Sequence, residues 1–255
     1  MRFDVITLFP ELFEPFLSHG VTRRAFESGQ VAVKLWNLRD FAEGNYRRVD
    51  DRPFGGGPGM VMQPDPLWRA LQAIQADRAE CQLPRVPVVL FSPQGQKLTH
   101  TSIQSRASGH GAVLLCGRYE GIDQRFIDAC VDEEVSLGDF VLSGGEIAAM
   151  AMLDAVARLQ PGVLSDEGSH QQDSFNPALD GLLDCPHYTR PETWQGPKGA
   201  QTVPDVLMGG NHAHIAQWRR QQQLKQTALR RPDLIEAARR AGALSKDDLA
   251  FLRSI

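Results

Sequence analysis

The chain has 255 residues, 42% hydrophobic and 23% charged, enough apolar material for a full core in one large domain or two smaller ones. No stretch approaches the roughly 18 apolar residues of a membrane span, and the opening MRFDVITLFPELF carries acids early and lacks a cleavable apolar run. A cytoplasmic protein without membrane contact is expected. Cys81, Cys116, Cys130 and Cys185 show no C-x-x-C pairing, which argues against structural zinc and for reduced core thiols.

The net charge of −4 is unevenly distributed. Residues 211–240 carry seven Lys or Arg against Asp233 and Glu236, so this segment is +5 and the remainder −9. A basic module on an acidic body is the pattern of a localised polyanion site. A solvated helix face accounts for the same charges equally well.

In chain order, residues 2–8 alternate as a strand, Pro10 and Glu11 open a helix through Leu17, and residues 31–38 form a second strand. Residues 50–60, DDRPFGGGPGM, exclude regular structure, with glycines at 55, 56, 57 and 59 and prolines at 53 and 58. Residues 66–78 have helical spacing, and 86–91 form a β-branched strand closed by the turn Ser-Pro-Gln-Gly at 92–95. A strand at 113–116, a helix at 122–131 and an extended stretch at 134–142 follow. Ser143-Gly-Gly-Glu146 has the spacing of a capping box at the head of an apolar helix, 147–159, which Pro161 ends.

Strands alternating with helices at this pace predict an α/β fold with a largely parallel sheet. In such sheets ligands bind at the carboxyl ends of strands, so the loops after Phe91, Cys116 and Leu142 are expected to converge on one site. Residues 162–181 are polar and irregular, and 215–229, 233–241 and 246–255 read as helices of a small C-terminal module. The expected division is an α/β domain at 1–160, a flexible linker at 161–180 and a helical domain at 181–255.

Two glycine-bearing stretches carry the most chemistry: VLLCGRYEGID at 113–123 and VSLGDFVLSGGE at 135–146. Neither is a dinucleotide fingerprint, and neither is a phosphate loop ending in Gly-Lys-Ser/Thr. They suit a flat, weakly anionic, nucleoside-like ligand. Leu115, Leu137, Phe140 and Leu142 can line an apolar slot, and Gly117, Gly138, Gly144 and Gly145 permit close backbone approach. The loop Gly55 to Gly59 lacks the lysine and following helix of a phosphate site and reads as a mobile flap, with Arg52 as a phosphate or carboxylate partner.

Arg158, near the end of the apolar helix, either meets the helix dipole or pairs with Asp173 over a guanine. In the second arrangement the carboxylate accepts N1–H and N2–H while the guanidinium donates to O6. Asp184-Cys185-Pro186-His187 brings a thiol and an imidazole together without a third partner, so neither a nucleophile nor a metal centre is predicted there.

Over nearly its whole length the chain resembles the bacterial tRNA (guanine-N1)-methyltransferases that modify guanosine 37, members of the SPOUT superfamily. The matching strings are DDRPFGGGPGM, SPQG, LCGRYEGID, SLGDFVLSGGE, DSF at 173–175, GLLDCPHYTRP at 181–191 and GNH at 210–212 ahead of Trp218-Arg219. The resemblance implies a SPOUT-type parallel sheet with a deep trefoil knot, an obligate homodimer, and S-adenosylmethionine bent into the knot. It implies cofactor contacts at Phe91, Pro93 and Gly95, at Gly117 and Glu120, and at Leu137, Gly138, Asp139, Phe140, Val141, Leu142, Gly144 and Gly145. The family's catalytic aspartate falls on Asp173 and its catalytic arginine on Arg158. Several members need magnesium (Mg2+), which is carried as optional, with no residue assigned to a metal.

The function expected is methyl transfer to guanine N1 beside a tRNA anticodon, with Arg52, Arg219 and Arg220 contacting the anticodon arm. Two other classes stand beside it: an RNA-binding regulator that holds the cofactor without catalysis, and a nucleotide hydrolase built on the Gly55 to Gly59 loop.

Overall fold

The computed structural model describes residues 1–165 and 169–255, which group into two units, Met1–Ser165 and Asp166–Ile255. In the first unit, strand β1 (Arg2–Thr7) leads through a 3-10 turn into α1 (Phe13–Ser18) and α2 (Arg23–Glu27). Strands β2 (Ala32–Asn37), β3 (Asp50–Asp51) and β4 (Val61–Met62) precede helix α3 (Pro64–Glu80). Then come β5 (Val88–Lys97), α4 (His100–Ala107), β6 (Val113–Leu115), α5 (Gln124–Cys130), β7 (Glu133–Ser136) and α6 (Glu146–Ala157).

The central sheet has the order β2-β1-β6-β5-β7, and every pairing in it is parallel. Both faces are covered, as a wholly parallel sheet requires. Alternation along the strands sends Phe3, Val5, Val89, Leu114 and Val135 to the face packed by α1, α2, α4 and α6. Ile6, Val88, Leu90, Val113 and Leu115 go to the other face, against α3 and α5.

Asp4 is fully buried, and such a carboxylate is tolerable only with partners that replace water. Arg78 of α3 meets it at 2.8 Å, Arg2 at 2.9 Å, and the indole N–H of Trp36 donates to it at 3.0 Å. This cluster joins β1, β2 and α3 at one end of the sheet.

Three local expectations are corrected. Strand β5 does not stop before Ser-Pro-Gln-Gly; its pairing with β7 jumps from Phe91–Val135 to Gln96–Val135, leaving residues 92–95 as an excursion from a continuing strand. Residues 50–60 are not wholly irregular, because Asp50 and Asp51 pair antiparallel with Met62 and Val61 around the glycine loop. The extended stretch at 134–142 ends at Ser136, where the Ser136 hydroxyl and the Phe140 N–H both bond the Gly138 carbonyl and turn the chain.

The second unit contains more than helices. A hairpin, β8 (Thr193–Gly196) and β9 (Gly199–Thr202), precedes α7 (Asp205–Met208), α8 (His212–Arg230), α9 (Pro232–Arg240) and α10 (Lys246–Ser254). The expected linker is partly organised: 3-10 turns lie at Ser169–Gln172 and Pro177–Leu179, and the buried Asn176 amide donates to the His170 carbonyl. Residues 166–168 of it lie outside the described residues. All four cysteines are unpaired, yet Cys81 is exposed, so the expectation of core thiols fails there. Among the described residues no helix is long and apolar enough to cross a membrane.

Leu182, Leu224, Ile235 and Ala238 form a small core in this unit. Arg220 ties its periphery, reaching Asp180 at 2.8 Å and Asp248 at 2.9 Å. Asp248 also caps α10 with Ser245, and Arg220 above all, with Ser245, holds its carboxyl at about 2 against an ordinary 3.8. A depressed carboxyl stabilises the fold above its unfolded value and loses that contribution as pH falls through the folded one. The acid limb between about pH 4 and pH 2 therefore depends on Asp248. In Asp248→Asn, near-ultraviolet circular dichroism should find lower stability at neutral pH and a shallower loss across that window; an unchanged slope would refute the linkage.

Candidate active site

Because the strands are parallel, the carboxyl ends of β5, β6 and β7 share one edge, and their loops enclose a cleft of about 430 Å³. Phe91 and Pro93 of β5 form one wall, Gly117 and Glu120 after β6 a second. Leu137, Phe140, Val141, Leu142, Gly144 and Gly145 after β7 form the third. Leu90, Ile122 and Ala148 extend the apolar lining, while Arg118 and Glu134 add charge that the sequence reading did not single out.

Gly95, Gly138 and Asp139 do not line the cleft. A Cβ at Gly95 would run into the Glu134 and Val135 backbones, so this glycine lets β5 return onto β7. Asp139 is exposed and paired with Lys97 at 2.8 Å. Gly138 serves the turn after β7.

The two glycine stretches touch each other through their backbones. Gly145 N–H donates to the Gly117 carbonyl at 3.0 Å, and a Cβ on Gly145 would lie 2.7 Å from Cys116 Cα. Gly144 pairs with Arg118 as an isolated antiparallel bridge and leaves room for the arginine side chain.

The expected capping box is absent. Gly145 is the N-cap of α6 with no side-chain bond, and Glu146, the first residue of the helix, is 1% exposed. It turns inward because partners wait there: the Thr7 hydroxyl donates to it at 2.8 Å, and Arg118 Nε pairs with it at 2.9 Å. The helix N-terminus favours the same charge. Arg118 in turn lies 4.5 Å over the Phe9 ring. Burial, with Glu146 adding to it, pushes the Cys116 thiol well up, so this cysteine is no nucleophile.

The Gly55 to Gly59 loop is not a phosphate loop, since β4 stands between it and α3. Its far end is fixed to the loop after β6: Met62 N–H donates to Gly121 at 2.9 Å and Glu120 N–H to Met60 at 3.0 Å. Gly59 leaves space that the Glu120 side chain fills. Arg52 is exposed on this hairpin and outside the cleft wall. Tyr119 adopts a left-handed φ of 62°, and burial together with Asp50 raises its phenol.

Arg158 is the half-buried C-cap of α6 in the first unit. Asp173 follows the Ser169–Gln172 turn in the second, and its carbonyl accepts from Asn176 N–H at 3.2 Å. In α8, Arg219 is exposed, whereas Arg220 is spent on Asp180 and Asp248. Asp184, Cys185 and His187 place ligand-capable atoms within 4.8 Å of one another, so a third partner is present after all. His187 is already paired with Asp184 at 2.8 Å, and burial raises the Cys185 thiol, which disfavours the thiolate.

The glycine contacts predict a graded response. Gly145→Ala forces backbone against backbone and should lower stability by about 1–3 kcal/mol. Gly117→Ala meets only Ile122 and Leu90 side chains at 3.7–3.8 Å and should cost clearly less in urea unfolding. Equal losses would mean that the loops are not held in this contact.

Comparison with known proteins follows the same strings. Residues 1–237 match the family described as tRNA (Guanine-1)-methyltransferase TrmD. A protein of Paracidovorax citrulli named tRNA (guanine-N(1)-)-methyltransferase is 68% identical over 255 residues, covering 100% of this chain and 98% of its own length. Proteins with that name from a Polaromonas species and from Bordetella pertussis are 66% and 57% identical, each over 100% of this chain and 97% and 98% of their own lengths. The chain belongs to the tRNA (guanine-1)-methyltransferase family.

Proposed function

We propose that this chain transfers a methyl group from S-adenosylmethionine to N1 of guanine at position 37 of tRNA, beside the anticodon, in the cytoplasm. The methyltransferase class follows from family membership. One observation carries the cofactor assignment: in a member of this family, both glycine loops line one cleft at the strand ends.

The cleft fits a nucleoside-bearing sulfonium. Leu90, Ile122, Leu137 and Leu142 offer an apolar slot, and Gly144 and Gly145 leave a backbone cradle that a Cβ would fill. The Glu120 and Glu134 carboxylates on the wall suit a cationic ligand. When bound, S-adenosylmethionine supplies an electrophilic methyl group on sulfur.

The protein's own residues supply alignment and proton management. Guanine N1 bears a weakly acidic proton, which Asp173 accepts as the general base. Arg158 donates to O6 and stabilises the negative charge that develops there. Because N1 lies on the pairing edge, the base must be presented unpaired. Arg219 and Arg52, both exposed, contact tRNA phosphates. Arg220, also expected at the anticodon arm, is ion-paired with Asp180 and Asp248 and helps hold the second unit together.

The trefoil knot and the homodimer belong to this proposal. The strand order, with β6 between β1 and β5 and with β7 outside β5, supports the knot, as does the Gly117–Gly145 contact. Exposed Val141 and Ile147 supply apolar surface for a second copy. The domain limits 1–160 and 181–255 are carried in the same way, and magnesium is tested by chelation during the assay.

With a labelled methyl donor, tRNA transcripts carrying guanosine at position 37 should incorporate label and those carrying adenosine should not. Incorporation into neither defeats the proposal. Asp173→Asn should keep donor affinity and lose turnover by orders of magnitude; near-normal turnover removes Asp173 from the base role. Arg219→Gln should weaken tRNA binding and reduce its salt slope without loss of stability, whereas Arg220→Gln should chiefly lower stability. The reverse pattern would exchange the two roles.

A further inference from the structure

The second unit has a groove of about 390 Å³ whose lining is unlike the rest of its surface. One wall is the segment from Pro186 to Arg190, in the string DCPHYTR; the other is α8, through Ile215, Trp218 and Arg219. Those three α8 residues are spaced i, i+3, i+4 and so share one helix face. Leu224 and Thr227, on the far side of the helix, are buried within the unit. The base of the β8–β9 hairpin closes the groove, where Val203 N–H donates to the Glu192 carbonyl at 2.9 Å.

The chemistry of this lining is specific. Tyr188 and Trp218 stand with ring centres 6.2 Å apart at 59°, and Tyr188 is 49% exposed, so about half of it is open to a ligand. Leu207 and Met208 add apolar floor. Around this platform sit Arg190 and Arg219, and among the described residues neither has an ion-pair partner. The neighbouring Arg220 makes two ion pairs, so the helix separates a structural arginine from an available one. Glu192 is the single carboxylate of the wall.

We propose that this groove seats an unpaired nucleotide of the substrate tRNA, its base on the Tyr188–Trp218 platform and its phosphates on Arg190 and Arg219. The proposal rests on the tRNA-methylating function above and deepens it by naming how the second unit recognises a loop. Exposed aromatic faces flanked by arginines are complementary to a base with its backbone. A duplex keeps its base faces stacked internally and offers only phosphate, leaving the ring platform unused. The cationic rim with one acid disfavours an acid-poor protein partner. Tyr188 therefore acts as a binding residue for the loop, outside the chemistry at N1.

Two measurements on the full chain test this. In steady-state methylation, Tyr188→Ala should raise KM for tRNA roughly 10- to 100-fold, the range of base–aromatic stacking, with the loss in KM rather than kcat. Tyr188→Phe should restore KM, because the ring and not the hydroxyl is the platform. In direct titration, an anticodon stem-loop RNA should quench a tryptophan signal that Trp218→Phe removes, and a blunt two-strand RNA duplex of equal length should not. Wild-type KM in Tyr188→Ala, or equal quenching by paired RNA, overturns the proposal. Should wild-type protein methylate no transcript, the proposed function fails, yet the quenching titration still decides whether the groove takes an unpaired nucleotide.

Discussion

Backbone contact between Gly117 and Gly145 sets the geometry on which the cleft depends. The approach depends on Gly145, whose Cβ would lie 2.7 Å from Cys116 Cα, whereas a Cβ on Gly117 would meet only side chains. Once they touch, Arg118 reaches past Gly144 to Glu146, and Glu146 reaches Thr7 at the end of β1. The ends of β1 and β6 and the head of α6 are thereby fixed against one another. The cleft wall is then a rigid edge of the sheet, with backbone groups and apolar side chains already in position, which lowers the ordering cost of binding.

The same region shows how buried charge is made tolerable. Glu146 and Asp4 both lie inside the first unit, on opposite faces of the sheet and at opposite ends of β1. Each is neutralised by an arginine from a separate segment, Arg118 for one and Arg78 for the other. An unpaired carboxylate in either place would be far more costly than any single apolar contact there. These pairs therefore tie together segments distant in the chain, Arg118 to Glu146 and Arg78 to Asp4. Their net contribution to stability is a separate and smaller matter.

Helix α8 divides its basic residues by face. Arg220 lies on the side that packs toward Asp180 and Asp248, beside the positions that bury Gln223, Leu224 and Thr227. Arg219, one residue earlier, lies with Trp218 on the groove side. Charge counting over residues 211–240 gives +5 for the segment but cannot sort these two arginines. The sorting comes from a 100° rotation per residue and from which carboxylates the fold brings within reach.

Much of the first unit was legible in the sequence. Alternating strands and helices predicted a parallel sheet, and ten of the residues expected at the cofactor loops, from Phe91 to Gly145, line the cleft. Hydrophobic period and glycine placement, being local properties, marked the strands and the glycines, while the resemblance supplied Pro93, Glu120 and Val141. Local signals failed where the outcome depends on distant partners. Ser143-Gly-Gly-Glu146 has capping-box spacing, yet Glu146 turns away from the cap toward Arg118 and Thr7, which lie 28 and 139 residues away in the chain. Ser-Pro-Gln-Gly reads as a strand end, yet β7 holds the chain on both sides of it. The β8–β9 hairpin was missed because its strands are short, polar and exposed, although Gly-Pro-Lys-Gly marks its turn. The sequence by itself determined the α/β class, the family and the strand-end loops that carry the glycines. Only the tertiary structure decided the pairing of Arg118 with Glu146, the structural role of Arg220 and the aromatic groove, because each joins residues that no local period connects.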